Sequence, residues 1–217
     1  MSRPSVLVID AGLGNIGSVV AALQRHDCGV QRMPQPPTLD ETRAFTHVVL
    51  PGVGAYAAGM QALKRIGWDA WIKQTWCRAN RPLLGICLGM QLLSSEGVEG
   101  APDGVRIAGL KLIPGCVERF RVNTDLVLPH VGWNDLHWHS PASPLAKGLP
   151  KAGDMYFVHS YAFQPQDSTH GLASSDYGQR FIAVVGKGAC YGVQFHPEKS
   201  QRLGHRLLAN FLALSPC

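Results

Sequence analysis

Two short stretches carry residue types that could do chemistry together. The first is Gly85-Ile86-Cys87-Leu88-Gly89, and the second is Gln194-Phe195-His196-Pro197-Glu198. A thiol, an imidazole and a carboxylate are the parts needed to attack a carbonyl carbon and to hand a proton to an amine leaving group. A cysteine in an apolar run is ordinarily a small buried hydrophobe. A core strand, however, has no use for the two flanking glycines. The form Gly-x-nucleophile-x-Gly suits a sharp strand-to-helix turn that lifts the sulfur off the end of a strand. The first amides of the following helix would point at whatever the sulfur attacks, and the positive end of the helix dipole favours a thiolate. His196 Nε2 could take the thiol proton and return it to a leaving amine. Glu198 could hold the other ring nitrogen only if the chain bends between them, and Pro197 supplies that bend. Among the nine histidines, His137 and His139 read as surface residues of a polar loop. His159 reads as a strand residue that could belong to core or site.

The elements that must position these groups alternate through the first 95 residues. Ser5 to Ile9 reads as a buried strand, followed by the glycine-rich turn Ala11 to Asn15 and a helix from Ile16 to Arg25. Gly29 to Met33 is a second strand, Pro34 to Glu41 a proline-rich surface loop, and Thr46 to Leu50 a third strand. That third strand ends in Pro51-Gly52-Val53-Gly54, a turn placed to offer backbone amides to a ligand. Helices over Ala55 to Ile66 and Trp68 to Ala79 lead into the strand Pro82 to Ile86, and a further helical pattern starts at Met90. This alternation predicts an open, mostly parallel sheet flanked by helices, with ligands beyond the carboxyl ends of the strands. The turns at Gly12, Gly52 and Cys87 all fall there. Gly12-x-Gly14-x-x-Gly17 lacks the acidic residue at the end of the second strand that would hold a ribose, so it is a weak nucleotide signal.

The second half is strand-rich. Leu112 to Val122, Leu126 to Val131, Asp154 to Phe163, His170 to Ser175, Phe181 to Gly186 and Ala189 to Phe195 read as short strands, with a hairpin turn at Gly186-Lys187-Gly188. The pattern predicts an antiparallel portion leaning on the parallel sheet. A closing helix over Ser200 to Leu214 would be capped by Ser200. No linker divides the chain, so residues 1–217 read as a single domain.

Composition narrows the function. The net charge of +5 comes from scattered Lys and Arg without a basic run, which speaks against sequence-specific nucleic-acid binding. Six cysteines, widely spaced and without a Cys-x-x-Cys pair, give neither a disulfide framework nor a zinc site and fit reduced thiols in the cytoplasm. The apolar run at the start is too short for a signal peptide and no stretch is long enough to span a membrane.

Gly-Ile-Cys-Leu-Gly-Met-Gln together with Gln-Phe-His-Pro-Glu-Lys-Ser resembles the class I, or triad, glutamine amidotransferases. The chain is most similar to the glutaminase subunits of imidazole glycerol phosphate synthase, from histidine biosynthesis. Gly14-Asn15 with Ser18-Val19, Pro51 to Ala55, Pro129-His130-Val131-Gly132-Trp133-Asn134 and Tyr156 to Tyr161 carry that closer likeness, which runs from about residue 5 to residue 213. The resemblance implies a flavodoxin-like amidotransferase fold, a Cys87-His196-Glu198 triad, and no metal or cofactor. It implies oxyanion donors at Gly52, Val53 and Leu88, and glutamine held by Gly54, Gln91 and the backbone around Ser160 and Tyr161. It also implies a heterodimer with a (β/α)₈ barrel cyclase that uses the ammonia, faced by Asn15, Trp133 and Lys199. One departure is Ala11, where the family usually has Tyr; this could alter the docking surface. It also leaves room for a paralogous subunit that supplies ammonia to a sugar-modifying enzyme of surface polysaccharide synthesis. A stand-alone cysteine hydrolase would share the elbow but have no purpose for Pro51 to Gly54. A non-catalytic binding module would be expected to have lost one of the triad.

Overall fold

The strands of the first half alternate between two apolar faces, and that alternation fixes the layers. The computed structural model describes residues 3–14, 16–121 and 126–215, so Asn15 and Val122 lie outside the described residues. In β1 (Ser5–Ile9), Val6 and Val8 join one buried cluster while Leu7 and Ile9 join the other. A strand with both faces covered reads as a continuous apolar run because helices pack on each side. The helix α1 (Ile16–Gln24) covers the first face, burying Ile16, Val19 and Leu23. Next come β2 (Gly29–Met33), α2 (Leu39–Thr42) and β3 (His47–Gly52). The proline-rich stretch thus ends in a helical turn, because Thr38 and Glu41 form a reciprocal capping box.

The second face is covered by α3 (Tyr56–Ile66) and α4 (Trp68–Trp71), which bury Tyr56, Met60, Leu63 and Trp68. After α4 the chain stays helical but changes pitch, with a wider turn over Ile72–Trp76 and a tighter one over Cys77–Ala79. It then enters β4 (Leu83–Cys87) and α5 (Leu88–Leu92). The remaining elements are β5 (Glu96–Gly97), β6 (Ile107–Ala108), β7 (Gly115–Arg119), β8 (His130–Trp138), β9 (Ala152–His159), β10 (Tyr161–Pro165), β11 (Gly171–Asp176), β12 (Arg180–Lys187), β13 (Cys190–Val193) and α6 (Gln201–Leu212).

The main sheet has nine strands in the order β2-β1-β3-β4-β13-β12-β11-β8-β9. The first five run parallel to their neighbours and the rest antiparallel, so β13 is the seam between the two halves. A second sheet, β10-β7-β5-β6, carries the turn-rich region after α5. Three expectations change here. Asp154 to Phe163 is not one strand: the chain leaves the main sheet at Ser160 and enters the second one as β10. The strand expected over Leu126 to Val131 begins only at His130 and runs on to Trp138, so His137 is an exposed strand residue and not part of a loop. Ser200 precedes α6, but its hydroxyl donates to His196 O (2.7 Å) and accepts from Tyr156 N–H (3.0 Å) instead of capping the helix.

Candidate active site

β3 and β4 lie side by side in register, with Gly52 opposite Cys87. The two turns that follow them therefore meet at one rim, and the helix after Cys87 must fold back over β3. Space explains the glycines. A side-chain carbon on Gly85 would sit 2.6 Å from the Gly89 carbonyl, and one on Gly89 would collide with the Leu50 carbonyl oxygen. Cys87 itself adopts φ 53, ψ −111. A non-glycine residue in that region costs about 1–3 kcal/mol, which the tight packing of the elbow must offset. α5 is only five residues long and carries little of the macrodipole of a long helix, so the charge partner of Cys87 is His196.

His196 follows β13, the strand next to β4, and Pro197 starts a single tight turn over Pro197–Lys199. That turn brings Glu198 Oε1 to 2.8 Å from His196 Nδ1, with both side chains at least nine-tenths buried. A carboxylate only accepts, so Nδ1 carries the proton and Nε2 is left for Cys87. Desolvation lowers the pKa of His196, but the hydrogen bonds and charges of Cys87 and Glu198 outweigh it and raise the value to about 9. The imidazolium is thus held at neutral pH, next to the sulfur. His196 N–H also donates to Tyr156 O (2.9 Å).

The oxyanion side is different. Val53 and Leu88 line the cleft and Gly52 sits opposite Cys87 in the sheet, yet the Val53 N–H donates to the Leu13 carbonyl at 2.9 Å. In this conformation the Val53 amide is therefore engaged away from the cleft. The glycine-rich turn after β1 supplies that acceptor: Gly14 adopts φ 104 and packs so closely on Val53 that a side chain would collide with it. Gly14 is thereby accounted for without a nucleotide, and Gly12 adopts φ 75, a left-handed turn conformation that favours glycine. Ala11 is buried among the apolar residues of the second face, so the departure from the family pattern lies in the core.

Between these halves lies a cleft of about 330 Å³. Cys87, Leu88, Val53, Gly54, His196 and Gln91 line it, with Ser160 and Tyr161 on the far wall. The Nε2 of Gln91 donates to Tyr161 O and to Gln194 Oε1, both at 3.1 Å, which leaves its own Oε1 as an acceptor. Sequence reasoning missed two neighbours. Gln194 is fully buried and its amide reaches Cys87 Sγ at 3.8 Å; its position between the end of β13 and His196 was the available signal. Glu99 lines the cleft and its carboxyl is shifted up by burial. It caps α3, which has only Ala55 at its own cap position: the Glu99 carbonyl accepts Ala57 N–H at 3.0 Å and the carboxylate accepts Tyr56 N–H. No local pattern announces that contact. His159, which the sequence left between core and site, is both buried and part of the cleft lining. Among the described residues, no group of three or more His, Cys, Asp or Glu is placed to hold a metal ion.

Trp133 is 47 % exposed and packs edge-on against Tyr156, over which Lys199 also lies. Val131, on the same face of β8, is 56 % exposed. Tyr156 joins these side chains to His196 through its main-chain bond.

Residues 7–214 match the family "Glutamine amidotransferase class-I", to which the chain belongs. Solved structures agree on the fold: a glutamine amidotransferase superposes with a TM-score of 0.69 at 19% identity, covering 96% of this chain and 99% of that one. PurLQS from Thermotoga maritima gives 0.69 at 16% identity, covering 97% and 98%. Its relatives within the class include HisH subunits. The chain is 50% identical to "Imidazole glycerol phosphate synthase subunit HisH 1" of Prochlorococcus marinus, over 98% of both chains. It is 39% identical to the HisH subunit of Synechococcus sp. JA-3-3Ab, over 98% of this chain and 94% of that one.

Proposed function

We propose that the chain is the glutaminase subunit of imidazole glycerol phosphate synthase. It hydrolyses glutamine to glutamate and ammonia and delivers the ammonia to a (β/α)₈ barrel cyclase subunit. Together they make imidazole glycerol phosphate and an aminoimidazole carboxamide ribonucleotide in histidine biosynthesis. The observation that carries the chemistry is His196 held at 2.8 Å by Glu198 beside the sulfur of Cys87. The Cys87 thiolate attacks the side-chain carbonyl carbon of glutamine. His196 gives its proton to the amide nitrogen, which leaves as ammonia, and a thioester remains. Water then attacks that carbon, His196 takes the water proton, and the thiolate departs as glutamate forms.

The Leu88 amide, at the free end of α5, offers one donor to the oxyanion. Val53 becomes the second when the Gly52–Val53 peptide turns away from Leu13. Docking of the barrel on Trp133, Lys199 and, by family resemblance, Asn15 is the step that favours this turn. Gly54, Gln91, Glu99 and the Ser160–Tyr161 backbone hold the α-carboxylate and α-amine of glutamine. One domain over residues 1–217, working in the cytoplasm, completes the reading; no helix of the described residues is long and apolar enough to cross a membrane.

The test is glutamate release by the purified chain, alone and with the barrel cyclase plus its nucleotide ligand. A gated oxyanion donor predicts slow release alone and a rise of at least about a hundredfold with the pair. Release that ignores the cyclase and its ligand would remove the assignment of partner.

A further inference from the structure

His159 in the cleft wall and His130 behind it are two buried histidines that the reaction above does not use. His130 and His159 face each other across β8 and β9 and are 3 % and 6 % exposed. His159 Nδ1 lies 2.9 Å from the Tyr161 carbonyl oxygen. His159 Nε2 lies 3.2 Å from His130 Nδ1, and His130 Nε2 lies 3.2 Å from Asn134 Nδ2. A carbonyl oxygen can only accept, so His159 carries its proton on Nδ1. Its Nε2 must then accept, which puts the His130 proton on Nδ1 and leaves His130 Nε2 to accept from the Asn134 amide. The far end is fixed independently. Asn134 Nδ2 donates to Asp176 O at 2.7 Å, and its Oδ1 accepts from Asp135 N–H at 2.8 Å. Both ends allow only one direction, so the chain of bonds has one tautomeric state with both rings neutral. Burial agrees, lowering the pKa of His159 to about 3 and of His130 to about 4.

What this chain grips is the point where the backbone changes sheets. The Tyr161 carbonyl takes two donors, His159 Nδ1–H and Gln91 Nε2–H, and the Ser160 carbonyl takes the Phe120 N–H at 2.9 Å. We propose that His159 is a positioning residue for glutamine: its Nδ1–H sets the Ser160–Tyr161 segment, and His130 and Asn134 hold the ring in the one tautomer that can do so. The inference rests on the reading that this segment binds the α-groups of glutamine. It assigns His159 no proton transfer, because its Nε2 lone pair is occupied by the His130 N–H. A packing role among Phe120, Phe157 and Phe181, which surround the ring, would be met by any aromatic residue of similar size.

Steady-state glutaminase kinetics of the full chain with its barrel partner separate these roles. His159→Phe keeps the ring and removes the donor. It is expected to raise KM for glutamine at least about tenfold with kcat within about threefold, the pattern of lost ground-state binding. His159→Asn restores an N–H near the Nδ1 position and is expected to bring KM back to within about threefold of the parent. An unchanged KM in His159→Phe, a fall in kcat alone, or no recovery in His159→Asn would overturn the inference. A parent pair that releases no glutamate would sink the underlying reading as well, whereas an active parent with an unmoved KM sinks only the role of His159. Independently of any variant's folding, the side-chain nitrogen spectrum of the parent chain near neutral pH should show His130 and His159 as Nδ1–H tautomers. An Nε2–H tautomer at His159 contradicts the proposal.

Discussion

The two halves of the catalytic cleft are built to different degrees. On one side, the Cys87, His196 and Glu198 side chains are buried, His196 is bonded to Glu198, and Cys87 is fixed by an elbow that admits nothing larger than hydrogen at two positions. On the other, Val53 is 45 % exposed and its amide is engaged by Leu13. The difference separates making a nucleophile from stabilising the oxyanion it creates. On the proposed reading, a lone chain with only the first half holds glutamine beside a charged triad but turns it over slowly, which limits the ammonia released before an acceptor is docked.

Breaking the finished half has the largest effect. Cys87→Ala should abolish glutamine hydrolysis while synthesis by the complex from added ammonia persists; loss of both would give Cys87 a structural role. His196→Ala should lower kcat by several orders of magnitude, as expected for one member of a coupled unit, and a fall of less than about tenfold would take it out of the mechanism. Glu198→Gln should cost about ten- to a hundredfold and move the alkaline limb of the rate profile. The sign follows from the bonds: Glu198 and Cys87 raise the His196 pKa to about 9, so the acid that protonates the leaving amine is lost as the pH rises through 9. Without Glu198 that limb falls at lower pH. Stability shifts the same way, since a raised histidine pKa adds stability that is complete below the ordinary value of 6.5 and lost as the pH passes 9.

The unfinished half gives smaller effects of opposite sign. Gly14→Ala pushes a methyl into Val53 and loosens its bond to Leu13. Basal glutaminase activity of the lone chain should rise a few-fold and stimulation by the barrel should shrink; a fall in basal rate with unchanged stimulation would mean that the Leu13 contact does not restrain the turn. Trp133→Ala should weaken the pair by about tenfold in Kd and leave hydrolysis by the lone chain within about twofold, placing Trp133 outside the cleft.

The finished half was legible in the sequence because its geometry is written in residue types. Glycines two before and two after a cysteine, and a proline between histidine and glutamate, have few other uses. The direction of the Gly52–Val53 peptide was not legible, since it depends on whether Leu13 or a bound oxyanion takes the same N–H. Ser160 was read as mid-strand because aromatic and apolar residues run on through it, and the switch between sheets is fixed by contacts from His159, Gln91 and Phe120. β8 was read short because its outward positions hold Val131, Trp133, Asp135 and His137, an exposed face that mixes apolar and charged residues and hides the alternation of a half-buried strand.

The most direct test of the difference between the halves is the alkylation rate of Cys87 by iodoacetamide, followed on the Cys87 peptide, in the lone chain and in the pair with the barrel cyclase plus its ligand. This reaction needs the nucleophile but no oxyanion donor. The account predicts that alkylation is no more than about threefold faster in the pair, while glutamate release differs by at least about a hundredfold. Alkylation that rises in parallel with glutamate release would contradict it, because the partner would then be building the nucleophile as well as the oxyanion site.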